Sequence, residues 1–118
     1  MKLVSSNSNQ SCKERTLALR DATELLGGKW RIFILQVLSH FETMRFKDLQ
    51  ETLVGISPKV LSKELQELEQ NLLITRTVNN TKPVTVSYSL TKHAYETQAV
   101  FHALLDFGTK HRKKIKGK

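Results

Sequence analysis

Lys59 and Lys63 lie one helical turn apart in the stretch Ser57-Pro58-Lys59-Val60-Leu61-Ser62-Lys63-Glu64-Leu65. Ammonium groups at this spacing project from the same helix face, with the hydroxyls of Ser57 and Ser62 nearby. Such donors suit phosphate oxygens or the O6 and N7 acceptors of guanine. The same residues can also be read as a solvated basic face, so the argument turns on their setting. Ser57 suits an N-cap, and Pro58 suits the first helical position, where its missing N–H costs nothing. Leu61, Leu65, Leu68 and Leu72 then recur on one side, with Lys59, Lys63, Gln66 and Gln70 opposite. The pattern predicts a capped helix from Ser57 to about Gln70, with Asn71 as its left-handed terminator.

The elements around this helix decide what its front end can meet. Phe46, Leu49 and Leu53 form one side of a short preceding helix, and Gly55 supplies the turn between the two. Helix, glycine turn and a second helix with a basic start make a helix-turn-helix pattern, whose second helix enters a major groove. Its free N–H groups and dipole favour acceptors there. Double-stranded DNA is therefore the expected partner. Arg45 and Lys47, at the start of the short helix, are candidate phosphate contacts, and Arg45 equally suits a structural role beside Phe46.

Downstream, Leu73 to Val78 is rich in β-branched residues, and Val84, Val86, Tyr88 and Leu90 alternate with Thr85, Ser87 and Ser89. Asn79-Asn80-Thr81-Lys82-Pro83 between them is turn-forming, so the pair reads as a β-hairpin. A hairpin after the recognition helix is a wing. Asn80 and Lys82 at its tip would approach the minor groove or backbone, and Arg76 would meet flanking phosphates or pair with Glu69 or another acid. Most such contacts position the protein, and few read sequence.

Three further helices flank this unit. The first is expected from about Glu14 to Leu26, ended by Gly27-Gly28, and a second helix starts near Lys29 with Trp30, Phe33, Ile34, Val37 and Leu38 at core spacing. Thr91 is expected to cap a long last helix. A three-helix core with a wing needs neither terminal helix. Leu17, Val100, Phe101, Leu104, Leu105 and Phe107 are thus expected to form a homodimer interface, against the alternative that they cap the monomer core. Residues 1–12 are expected to be disordered, residues 13–109 to form the domain, and residues 110–118 to be a basic C-terminal tail. The fold class is mainly α with a small β-hairpin (α+β), a winged helix-turn-helix with added dimerisation helices.

Composition agrees with one domain of 118 residues. Six of the eight net positive charges lie in residues 110–118, which leaves +2 on residues 1–109. The basic recognition face carries more weight than the total. No apolar run approaches the roughly 20 residues that span a membrane, and residues 1–10 lack the apolar core of a signal peptide, so a cytoplasmic location is expected. The single cysteine, Cys12, excludes an intrachain disulfide and a cysteine metal cluster. Flanked by Lys13 and Arg15, it is either a reactive thiol open to a redox or electrophilic effector or an inert surface cysteine. The four histidines are scattered, and no paired carboxylates, nucleophile triad or phosphate-binding glycine loop can be read. No cofactor, metal or enzymatic activity is expected. The competing class is a winged-helix protein-interaction module, which would present an apolar recognition face.

From Leu17 to Phe107 the chain resembles the HxlR family of bacterial winged-helix transcription regulators, relatives of the MarR group. The resemblance rests on Gly28-Lys29-Trp30 with Ile34-Leu35, Arg45-Phe46 with Leu49, and Gly55-Ile56-Ser57 with Lys59 and Leu61. It continues through Leu65, Leu68-Glu69, Leu73, Arg76, Pro83, Val86, Tyr88 and Leu90-Thr91. It implies a dimeric DNA-binding regulator responding to an effector; repression is the default expectation, because blocking a promoter requires only occupancy. Leu17-Ala18 stands where many members carry a Cys-Pro pair, and Cys12 lies five residues earlier. Leu72 and Ala94 replace usual glycines, and Phe107 a common tryptophan.

Overall fold

The structure, a computed structural model, describes residues 11–117. Its elements are α1 (Cys12–Leu26), α2 (Arg31–His40), β1 (Met44–Arg45), α3 (Phe46–Thr52), α4 (Pro58–Gln70), β2 (Ile74–Asn79), β3 (Thr85–Leu90), a 3₁₀ turn (His93–Glu96) and α5 (Thr97–Lys116). This is the expected α+β winged helix-turn-helix. The sheet has three antiparallel strands in the order β1-β3-β2. Strand β1, a two-residue segment, pairs Met44 with Tyr88 and Arg45 with Ser87. It ties the start of α3 to the wing and carries no sequence pattern of its own.

The core gathers Ile34, Leu35 and Leu38 of α2, Leu49 and Leu53 of the α3 region, Leu61, Leu65 and Leu68 of α4, and Leu73, Ile74 and Tyr88 beside the sheet. Its largest fully buried side chains, among them Leu49, Leu61 and Leu68, are essentially inaccessible to solvent. Neither α1 nor α5 has a buried residue. The radius of gyration is 17.1 Å, against about 13 Å for a compact domain of similar length. The terminal helices extend beyond the core.

Several expectations need correction. Helix α1 starts earlier than predicted: Ser11 is its N-cap, accepting from the Glu14 N–H at 3.1 Å, and Cys12 is its first residue, so these two are not disordered. The expectation for residues 1–10 lies outside the described residues. Residues 110–116 are not a tail but the last turns of α5, continuous with the helix because nothing there breaks it; Lys118 is outside the described residues. Thr91 caps the 3₁₀ turn, accepting from the Ala94 N–H at 3.1 Å, and α5 begins only at Thr97. Phe33, placed inward by spacing, is 57% exposed. Trp30 is half-buried and packs on the edge of the core.

The end of α4 differs most instructively. Asn71 keeps a negative φ, and Leu72 takes the left-handed conformation at φ 65°. The Leu72 N–H donates to the Glu69 carbonyl and the Leu73 N–H to the Leu68 carbonyl, both at 3.0 Å. This crossed pair is a Schellman stop, which places its left-handed residue one position after the cap. Leu72 is therefore turned outward, 70% exposed, and leaves the leucine stripe. The position calls for glycine, which explains the residue usual there in the family that the sequence resembles.

Candidate nucleic-acid interface

The front end of α4 is built from the preceding turn. Gly55, at φ +95°, reverses the chain after α3, and the Ile56 side chain is buried beneath the turn. The Ser57 hydroxyl accepts from the Val60 N–H at 3.1 Å, and the Ser57 carbonyl accepts from the Leu61 N–H at 2.9 Å. With Pro58 at the first position, the helix starts abruptly. Leu61, Leu65 and Leu68 hold its inner face in the core. That anchoring leaves Lys59, Ser62, Lys63, Gln66 and Gln70 exposed on the outer face. Among the described residues neither Lys59 nor Lys63 is in an ion pair.

The other expected residues fall on both sides of this face. Arg45 is exposed at the N-cap position of α3, though its side chain does not cap the helix, and Lys47 is exposed in the first turn. Asn80 and Lys82 are exposed at the tip of the β2–β3 hairpin. Asn79, absent from the sequence-based set, stiffens that hairpin. Its amide donates to Thr85 Oγ1 at 3.1 Å and to Ser87 Oγ at 2.7 Å. The second bond satisfies Ser87, a buried polar side chain on the face where alternation predicted a solvent-facing serine.

Arg76 lies across the strand pair from Tyr88. Both line a cleft of about 330 Å³ between α4 and the wing, together with Ser62, Gln66 and Glu69. Arg76 and Glu69 share this cleft without an ion pair. The guanidinium remains available to a ligand from outside. A helix in a major groove and a hairpin in the neighbouring minor groove must straddle one sugar-phosphate strand, and this cleft is where that strand would pass. Gln66 lies on the outer face read from the sequence, though sequence spacing gave it no role in DNA contact. Its place in the cleft beside Ser62 is the signal that adds it.

The expected interface residues sit on the terminal helices, away from this face. Leu17 is 43% exposed, Val100 39%, Leu104 52%, Leu105 55% and Phe107 67%, with Phe101 half-buried. An apolar groove lined by Leu19, Ala22, Leu26, Ile32, Val100 and Leu104 runs between α1, α2 and α5. Cys12 is a free, exposed thiol in the first turn of α1. Among the described residues no group of histidine, cysteine or carboxylate side chains is arranged to hold a metal ion. No helix among them is long and apolar enough to cross a membrane.

The HxlR-like helix-turn-helix family matches residues 25–116. The chain belongs to this family. It is 41% identical over 86 residues to the HTH-type transcriptional regulator YodB of Bacillus subtilis, covering 73% of this chain and 76% of YodB. It is 30% identical over 105 residues to YtcD of the same organism, covering 89% and 82%. The structure of reduced YodB superposes with a TM-score of 0.68 at 37% identity, over 83% of this chain and 90% of YodB. A MarR-family regulator from Enterococcus faecalis superposes with a TM-score of 0.79 at 25% identity, over 97% and 100%. YodB also has a quinone-bound structure, with a TM-score of 0.69 at 35% identity over 79% and 96%. The protein is a DNA-binding transcription regulator of the winged helix-turn-helix type, not an enzyme.

Proposed function

We propose that this HxlR-family member acts in the cytoplasm as a homodimeric, sequence-specific repressor on a pseudo-palindromic operator. The observation that carries the reading is the outer face of α4, where Lys59 and Lys63 stand exposed and, among the described residues, unpaired on a helix held rigidly by buried leucines. Each subunit inserts this helix into a major groove, with Ser57 and Ser62 adding short contacts. Arg45, Lys47 and Arg76 hold phosphates, and Asn80 and Lys82 carry the wing to the minor groove. Repression is the simplest outcome, because blocking a promoter requires only occupancy.

The dimer is supported by the apolar side chains of α1 and α5 that stay exposed, Leu17, Val100, Leu104, Leu105 and Phe107, with half-buried Phe101 beside them. A second copy is the economical cover. We infer too that a small-molecule or redox effector controls DNA occupancy, with Cys12 as the group it meets. Support comes from the exposure of the thiol at the start of a dimerisation helix and from the quinone-bound form of YodB. Diamide or a benzoquinone should weaken DNA binding by the wild type and not by Cys12→Ser; equal responses remove Cys12 from the proposal.

The deciding experiment is selection of bound sequences from a random DNA pool at near-physiological salt. Enrichment of a palindrome, with half-sites about one helical turn or a multiple apart, supports the reading. Salt-labile binding with no enriched sequence refutes it and favours a protein-interaction module.

A further inference from the structure

Arg31 is the first residue of α2, and its side chain joins two other helices. Its Nε donates to Glu64 Oε1 of α4 at 3.0 Å. Its Nη1 donates to the Leu25 carbonyl of α1, also at 3.0 Å. The Leu25 carbonyl is one of those that a helix end leaves without an internal partner. Helix α1 has no basic residue in its own last turn, so Arg31 supplies the cation that this negative end favours. Glu64 follows Lys63 directly and flanks the face assigned to DNA.

This ion pair differs in kind from the others among the described residues. Arg20–Glu24 and Lys110–Asp106 each lie within a single helix, with side chains at least 64% exposed. The Arg31 and Glu64 side chains are 17% and 15% exposed and span three helices. Little else fixes α1. Among the described residues its hydrophobic packing on the core is through half-buried Leu25 and Leu26, and it joins α2 through Gly27-Gly28, with Gly28 at φ +88°. A two-glycine joint is permissive in angle. The fork of one guanidinium onto a carboxylate and a carbonyl is not, because its donors lie in one plane.

We propose that Arg31 is a positioning residue that locks the angle between α1 and the recognition helix, and thereby sets the half-site spacing the dimer accepts. The proposal rests on the dimeric reading above. Helix α1 travels with the partner subunit and α4 travels with the DNA, so the clamp converts the dimer geometry into a fixed distance between the two recognition helices. Without it, each subunit still fits a half-site, but the pair no longer favours one spacing.

The test uses the full chain and a series of duplexes carrying either one half-site or two half-sites separated in single-base-pair steps. Arg31→Gln and Glu64→Gln each remove one charge and keep a polar side chain of similar size, and Arg31→Lys keeps the charge without the fork. Folding is checked by thermal melting and assembly by sedimentation. For both glutamine variants the single half-site should bind within about twofold of wild type, while the optimally spaced palindrome weakens about tenfold, an ordinary coupling between two sites. The spacing profile should flatten, and Arg31→Lys should recover part of the preference. An unchanged spacing profile in both glutamine variants overturns the clamp. So does an equal loss on single and paired half-sites, which would show that the pair only shapes the recognition helix. Should wild type itself bind single and paired half-sites equally, the dimeric reading fails and takes the clamp with it.

Discussion

Replacing Lys59 and Lys63 together by alanine tests the recognition helix most directly. Both side chains are exposed and, among the described residues, outside every ion pair, so the substitution should leave the fold intact. Unfolding free energy should change by no more than the roughly 0.5 kcal/mol usual for surface changes. DNA binding should change greatly, in a manner that reports what each lysine touches. A lysine on a phosphate contributes about 0.9 to the slope of log affinity against log salt, so losing two reduces the slope by about 1.8 per subunit. Raising salt from about 50 to about 200 mM would then narrow the wild-type advantage about 12-fold per subunit, uniformly across DNA sequences. A lysine on guanine instead contributes about 1–3 kcal/mol at one base position, and its loss relaxes specificity there. Fluorescence anisotropy on operator and unrelated duplexes at three salt concentrations separates the two outcomes. Operator affinity and salt slope both unchanged would refute the assignment of α4 as the DNA-reading helix.

Further substitutions test the parts that support this face. Ser57→Ala removes the cap on the Val60 N–H and should cost about 1 kcal/mol in chemical denaturation. Gly55→Ala meets no atom within 4 Å, so its cost is that of forcing a side chain to φ +95°, about 1 kcal/mol or more; an unaltered denaturation midpoint would contradict the turn geometry. Arg76→Ala should weaken operator and unrelated DNA alike and lower the salt slope by about 1 per subunit. Leu104→Glu places a charge in the apolar groove between α1 and α5 and should yield monomers in sedimentation, with the isolated domain still folded.

The sequence disclosed what local chemistry determines. Ser57 and Pro58 mark the start of α4, and the stripe Leu61, Leu65 and Leu68 gives its buried face. The hairpin follows from alternation and from the Asn79–Pro83 turn. Where reading failed, a helix stop or a tertiary contact had overruled the local pattern. Leu72 continues a leucine stripe, but a helix that stops in a Schellman turn swings its next residue outward. Ser87 looks solvent-facing by alternation, yet strand β1 covers β3 on one side and Asn79 meets the hydroxyl. Arg31 and Glu64 are 33 residues apart in the chain, so no spacing rule connects them. The acids and bases of the surface looked alike until the fold showed which pair lay inward.

The distribution of burial bears on how such a regulator switches. Ile34, Leu38, Leu49, Leu61, Leu65 and Leu68 are at most 2% exposed, so α2, α3 and α4 form one rigid block. Helices α1 and α5, of 15 and 20 residues, contribute no buried residue to it. Even a helix of this length draws most of its stability in a protein from packing an apolar face rather than from propensity. The apolar faces of α1 and α5 therefore gain most from the proposed second copy, and their stability should rise with protein concentration. A signal reaching that interface has no need to deform the DNA-binding block. It has only to turn one block against the other, because two rigid bodies joined at a soft seam respond by rotation. In the proposed dimer, operator affinity would be sensitive to such a rotation, since both recognition helices would have to reach their grooves at once. The Arg31 fork would then be the point where a change at α1 either is transmitted to α4 or is lost in the glycine joint.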